Sequence, residues 1–128
     1  MVTETLVEPL IESGGQIIHQ CQKDGFSIDL AFWLKAVDDE NWYLYLVNDT
    51  MAKDGPRKSY HKLYSSWKKL ESPFASYSDI KIIDVSDPLA KDVRNLAENY
   101  GNQLNTWFGK RSLGFLEAEK LFVYRIAQ

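Results

Sequence analysis

Residues 53–70, KDGPRKSYHKLYSSWKKL, bring six cations together: Lys53, Arg57, Lys58, Lys62, Lys68 and Lys69, against the single carboxylate of Asp54. The segment carries +5 on a chain of net charge −3, so the remaining residues carry −8. The chemistry open to such a cluster is electrostatic: capture of a carboxylate, a phosphate or an acidic protein surface, or pairing with the acidic remainder of the chain. The candidate binding residues are Lys53, Arg57, Lys58, His61, Lys62 and Lys69. Gly55 suggests a narrower use. N–H groups at a helix start, beside Lys53, Arg57 and Lys58, could hold a small anion. An ordinary capped helix start explains the same residues more simply.

Acid–base chemistry has one candidate. Glu117 and Glu119 are two apart in the last strand and share a face, which makes a paired-acid site geometrically open. With Lys or Arg from the basic segment, it would suit a small enzyme or a nucleic-acid-processing protein. Glu119-Lys120 is similar to the end of a nuclease Glu-x-Lys motif, but Ala118 stands where the acid belongs. Solvated strand residues, or ion-pair partners for the basic segment, are the simpler reading. His19 and Cys21 point about 160° apart on a helix and cannot share an ion, so no metal site is expected. His61 has no recognisable acid partner or nucleophile. Neither GxGxxG nor GxxxxGK[ST] occurs, and no cofactor is expected.

The elements that must position these residues follow from hydrophobic period. Within 53–70, Tyr60, Leu63, Tyr64, Trp67 and Leu70 fall within about 120° of one another, so the segment reads as an amphipathic helix with an apolar side and a basic side. Asp54 is the expected cap, with Pro56 in the first turn. Residues 4–23 read as a first helix, striped by Leu6, Val7, Leu10, Ile11, Gly14, Ile17, Ile18 and Cys21 and stopped at Gly25. Gly14-Gly15 is either a weak point or a place for close approach. Residues 26–37 and 42–49 read as a β-hairpin whose paired residue numbers sum to 79. Leu30, Phe32, Leu34, Tyr43, Tyr45 and Val47 then line one face, and Trp33, Val37, Trp42, Leu44 and Leu46 the other, broken by Lys35.

Residues 72–78 read as a loop, and Ile80, Ile82, Ile83 and Val85 as a short strand. A helix opens at Asp87-Pro88 and carries Leu89, Val93, Leu96 and Tyr100 on one side. The tail reads as a strand near 104–108, a turn at 109–114 and a long strand through 115–126. The order α-β-β-α-β-α-β-β gives an α+β domain: a mostly antiparallel sheet of about five strands with three helices. The third strand, third helix and fourth strand offer the place for one parallel pair. Both faces of the hairpin are apolar, whereas an antiparallel sheet usually wets one side. Either helices cover both faces, or a second copy packs on the Trp33/Trp42/Leu44 face as a homodimer.

The whole chain sets the outer bounds. Its 128 residues, 45% apolar and 26% charged, suit one folded domain, 1–128. The single cysteine, Cys21, excludes an internal disulfide and fits a reducing compartment. No signal peptide is visible in the first twenty residues, and no apolar run approaches the ~18 needed to span a bilayer. A cytoplasmic protein without membrane contact is expected. Net charge of −3 makes nucleic acid a less favoured partner than an acidic protein.

Four strings together, Ala31-Phe32-Trp33-Leu34, Asp54-Gly55-Pro56-Arg57…Tyr60, Ser86-Asp87-Pro88-Leu89 and Val123-Tyr124-Arg125, resemble a group of small single-domain bacterial proteins. The resemblance implies a bacterial cytoplasmic origin and transfers no activity, cofactor or catalytic residue. The sequence thus points to a small binding or accessory protein whose contact surface is the basic helix, residues 54–70.

Overall fold

In the computed structural model, residues 8–49, 53–71, 76–100 and 106–124 are described. The chain runs through α1 (Glu8–Lys23), β1 (Leu30–Ala36), β2 (Trp42–Asn48), α2 (Pro56–Trp67), a 3-10 turn (Tyr77–Asp79), β3 (Ile80–Asp84), α3 (Pro88–Tyr100), β4 (Thr106–Phe108), β5 (Arg111–Leu113) and β6 (Leu116–Val123). The α+β class and the element order α-β-β-α-β-α-β-β are as expected, with β5 as an additional strand inside the expected turn. Residues 4–7 of the first helix, residues 72–75 of the loop, and residues 104–105 and 125–126 of the tail lie outside the described residues.

The sheet order is β3-β2-β1-β6-β4, with β5 also paired to β6. All pairings are antiparallel except β2–β3, so the sheet is mixed. The expected parallel pair therefore sits one unit earlier in the chain. The crossover helix is the basic helix α2, which returns the chain to the edge of β2. The second crossover, through α3, carries the chain across to the far edge, where β4 joins β6.

Hairpin register is shifted by two from the expectation: Leu30 pairs with Val47 and Lys35 with Trp42, so numbers sum to 77 rather than 79. Val37 leaves the strand and joins the loop, where Asp39 Oδ1 accepts the Asn41 N–H at 2.9 Å. A slip of two leaves every side chain on its expected face. One face, with Ala31, Trp33, Trp42, Leu44 and Leu46, is covered by Ile17, Ile18 and Cys21 of α1 and Leu63 of α2. The other, with Leu30, Phe32, Leu34, Tyr45 and Val47, is covered by Leu89, Ala90, Val93, Leu96 and Ala97 of α3. Trp33, Trp42 and Leu44 are buried within the chain itself, Trp42 with the Trp107 ring of β4 against it. The face on which a homodimer was expected is thus already occupied.

Local signals explain the helix ends. The Phe26 N–H bonds Cys21 O and the Gly25 N–H bonds Gln22 O, with Gly25 at φ 85°, which closes α1 in a Schellman motif with Phe26 buried beside it. Asp87 caps α3 as expected, accepting the Leu89 N–H at 2.9 Å. Asp54 does not cap α2. Gly55 takes that position at φ 85° with Pro56 after it, and Asp54 turns to Lys62 instead.

The β4–β6 region is one hairpin interrupted at Gly109-Lys110, since Thr106↔Val123 and Leu113↔Leu116 keep the same register. On its other side β6 carries a bulge: Lys35 faces Lys120 but Ala36 faces Ala118, leaving Glu119 as the extra residue. A bulge bends its strand. The hairpin tip lies against the first turns of α3, where the Gly114 N–H bonds Asp92 and a Cβ on Gly114 would fall 2.8 Å from Leu89 N. Glycine is required there.

Candidate functional site: the outward side of helix α2

Helix α2 buries Ser59, Leu63 and Ser66, with Leu63 at 0% exposure. The buried side is rotated by about 60° from the one hydrophobic period suggests, at 100° per residue. Two polar anchors cause the rotation. Ser66 Oγ donates to Asp24 Oδ2 at 2.7 Å, and Lys69 Nζ donates to Asp24 Oδ1 at 2.9 Å, tying α2 to the end of α1. On the other flank Tyr60 Oη accepts the Ile82 N–H of β3 at 2.9 Å, and Tyr77 Oη donates to Tyr60 O at 3.1 Å. Tyr60 and Trp67 are left half-buried and Tyr64 is 44% exposed. Tyr64 stacks with Trp67 at 6.0 Å and meets Tyr77 edge-on at 5.2 Å, so its ring is held although it faces solvent.

The six candidate residues divide into two sets. Lys53, Lys62 and Lys69 pair with Asp49, Asp54 and Asp24 at 2.9, 3.4 and 2.9 Å. Half of the basic cluster is therefore neutralised internally. Arg57, Lys58 and His61 are exposed and make no ion pair among the described residues. His61, Lys62 and Lys69 come together, with Ser65 and Ser66, along a cleft of about 270 Å³ whose opposite wall is Asp24, Gly25 and Phe26. Lys53, Arg57 and Lys58 lie outside it. Asp24 is held at about 2 rather than its ordinary 3.8 by the hydrogen bonds from Ser66, Lys69 and Gln20, so it is an ionised clamp, not a proton donor.

The outward ridge of α2 was not singled out by sequence. Arg57, His61, Tyr64 and Lys68 follow at intervals of four, three and four, which places them in one line on a helix. All four are exposed, and the Lys68 ammonium lies 5.7 Å from the Tyr64 ring centre. The signal was present in the spacing but was hidden by assigning Tyr64 to the apolar side.

The acid pair does not assemble. Glu117 accepts from Ser112 Oγ directly across the β5–β6 ladder, and Glu119 pairs with Lys35. Lys35 holds the Glu119 carboxyl below its ordinary range, the wrong direction for a general acid. Among the described residues neither makes a hydrogen bond or ion pair to α2. Gly55 has carboxylates on its neighbouring cations, through Lys53–Asp49 and Lys62–Asp54. Cys21 is fully buried, and that burial pushes its thiol up to about 11, which makes it inert as a nucleophile. Among the described residues no cluster of three metal-ligating side chains exists, and no helix is long and apolar enough to cross a membrane.

No protein-family model matches the chain, nor does any curated protein or solved structure.

Proposed function

We propose that the protein acts by binding, with the Arg57–His61–Tyr64–Lys68 ridge of α2 as its contact surface and an acidic face of another protein as its partner. The observation that carries the reading is a half-exposed tyrosine, fixed by Trp67 and Tyr77, on the same side of α2 as Arg57 and Lys68, neither of which makes an ion pair among the described residues. A rigid aromatic beside an arginine is the composition of interface centres, where few side chains carry most of the affinity. The paired lysines at 53, 62 and 69 serve folding rather than contact. An acidic protein suits the site better than a single-stranded nucleic acid because the ridge exposes one ring, Tyr64, where successive bases would need a series of rings to stack on.

Poly-glutamate and a single-stranded oligonucleotide are the probes. The wild type should bind poly-glutamate at low salt and release it as salt rises, because exposed pairs are screened within about 10 Å at 0.1 M. Arg57→Glu/Lys58→Glu/Lys68→Glu should abolish that binding while the urea midpoint stays put. Retention by the triple variant would exclude this ridge. Tighter binding of the oligonucleotide would replace the acidic protein with a nucleic acid.

A further inference from the structure

The opposite corner of the α1/α2 side of the sheet holds groups that neither folding nor the α2 ridge explains. Lys35 is 6% exposed, an unusual place for an ammonium, and its described acidic partner is Glu119. Glu119 is the bulged residue of β6, and bulges are enriched beside functional sites because they re-aim a side chain. Directly across β1–β2 from Lys35 stands Trp42, 8% exposed, whose indole Nε1–H is buried without a hydrogen-bond partner. A lone buried donor is costly and rare. Over Trp42, edge-on at 6.1 Å, lies Trp107, a ring 45% exposed on the three-residue edge strand β4. Trp107 also packs on Phe122 at 4.9 Å.

These groups define a ligand by what they lack. The Trp42 N–H and the ammonium of Lys35, which keeps N–H groups beyond the one given to Glu119, both call for an acceptor. The charges set its sign. Glu119 feels Lys120 and Lys110 as well as Lys35, so its carboxylate is shared among several cations and does not cancel the charge of Lys35 alone. Trp107 supplies a flat apolar wall, backed by Phe122 and 45% exposed, on a strand that ends the sheet among the described residues. We infer that the Trp42–Trp107 corner binds a small organic anion, a carboxylate on a flat apolar body, with the carboxylate held by Trp42 Nε1–H and Lys35 Nζ and the body against Trp107. No covalent step is involved.

The test follows the Trp42 indole N–H in ¹H–¹⁵N spectra of the whole chain, assigned by its loss in Trp42→Phe, during titration with 2-naphthoate to roughly 10 mM. The Trp42 signal should move downfield as the donor gains an acceptor. 2-Naphthylmethanol, of the same shape without charge, and acetate, with charge but no ring, should each bind at least about tenfold more weakly. Trp107→Ala should weaken naphthoate by about tenfold while the other indole signals keep their positions. An unmoved Trp42 signal would overturn the site. Equal binding of the neutral alcohol would overturn the anion, and unchanged affinity in Trp107→Ala would overturn the wall.

Discussion

At the scale of single residues, polar contacts join segments distant in sequence. Asp24 shows this best, since Ser66 and Lys69 reach it from 42 and 45 residues away. A carboxyl whose pKa is depressed on folding binds its proton more weakly in the folded than in the unfolded chain. Its contribution to stability is therefore present above the ordinary value of 3.8 and is lost as pH falls toward about 2. Urea midpoints measured across that window should drop with acid in the wild type, and the drop should be shallower in Ser66→Ala, which removes the main cause of the shift. Parallel acid limbs in the two proteins would refute the clamp. Gly14 belongs at this scale too. A Cβ there would lie 2.2 Å from Tyr124 Oη, which donates to Ile11 O at 2.6 Å and accepts from Trp33 Nε1 at 2.8 Å. That a glycine on a buried stripe permits close approach was legible. That the visitor is a tyrosine 110 positions later was not, because no local pattern encodes it.

At the scale of elements, amphipathic period located α2 but misjudged its rotation. Hydrophobicity placed Tyr64 inside and gave no side to Ser59 and Ser66, yet burial follows tertiary hydrogen bonding as well as apolarity. The same cause hid the basic ridge. A graded series tests the corrected orientation: Leu63→Ala should cost about 2–5 kcal/mol, as for a fully buried leucine, and Lys62→Ala no more than about 0.5 kcal/mol. Trp67→Ala, losing a half-buried ring, should fall between them. Urea melts that rank Trp67 above Leu63 would restore the side that hydrophobicity favours. The hairpin shows the complementary case. Its two faces were legible because alternation survives a slip of two, whereas its register was not, because the Asp39 turn draws Val37 into the loop.

At the scale of the whole molecule, the mixed sheet resolves what composition left ambiguous. Three helices suffice for both faces because α1 and α2 share one and α3 takes the other alone, so the apolar excess of the first hairpin is spent inside the chain. The candidate site was legible as a charged segment but not as a surface, since Lys69 finds its carboxylate at Asp24, 45 residues away, only once the chain is folded.

The central position of β1 has a consequence in time. Its two neighbours are β2, six residues on from Ala36, and β6, which begins eighty residues on from it. On the ribosome the first hairpin emerges early, with Phe32, Trp33 and Leu34 on a strand edge that has no mate until the last described element is made. Such an edge is the kind that pairs with other chains. Nascent chains stalled before residue 106 should associate with one another or with a holdase, and release of the segment 106–124 should end that association. Light scattering on truncated and full-length chains refolded side by side measures it; equal solubility of the two would show that the hairpin waits without harm.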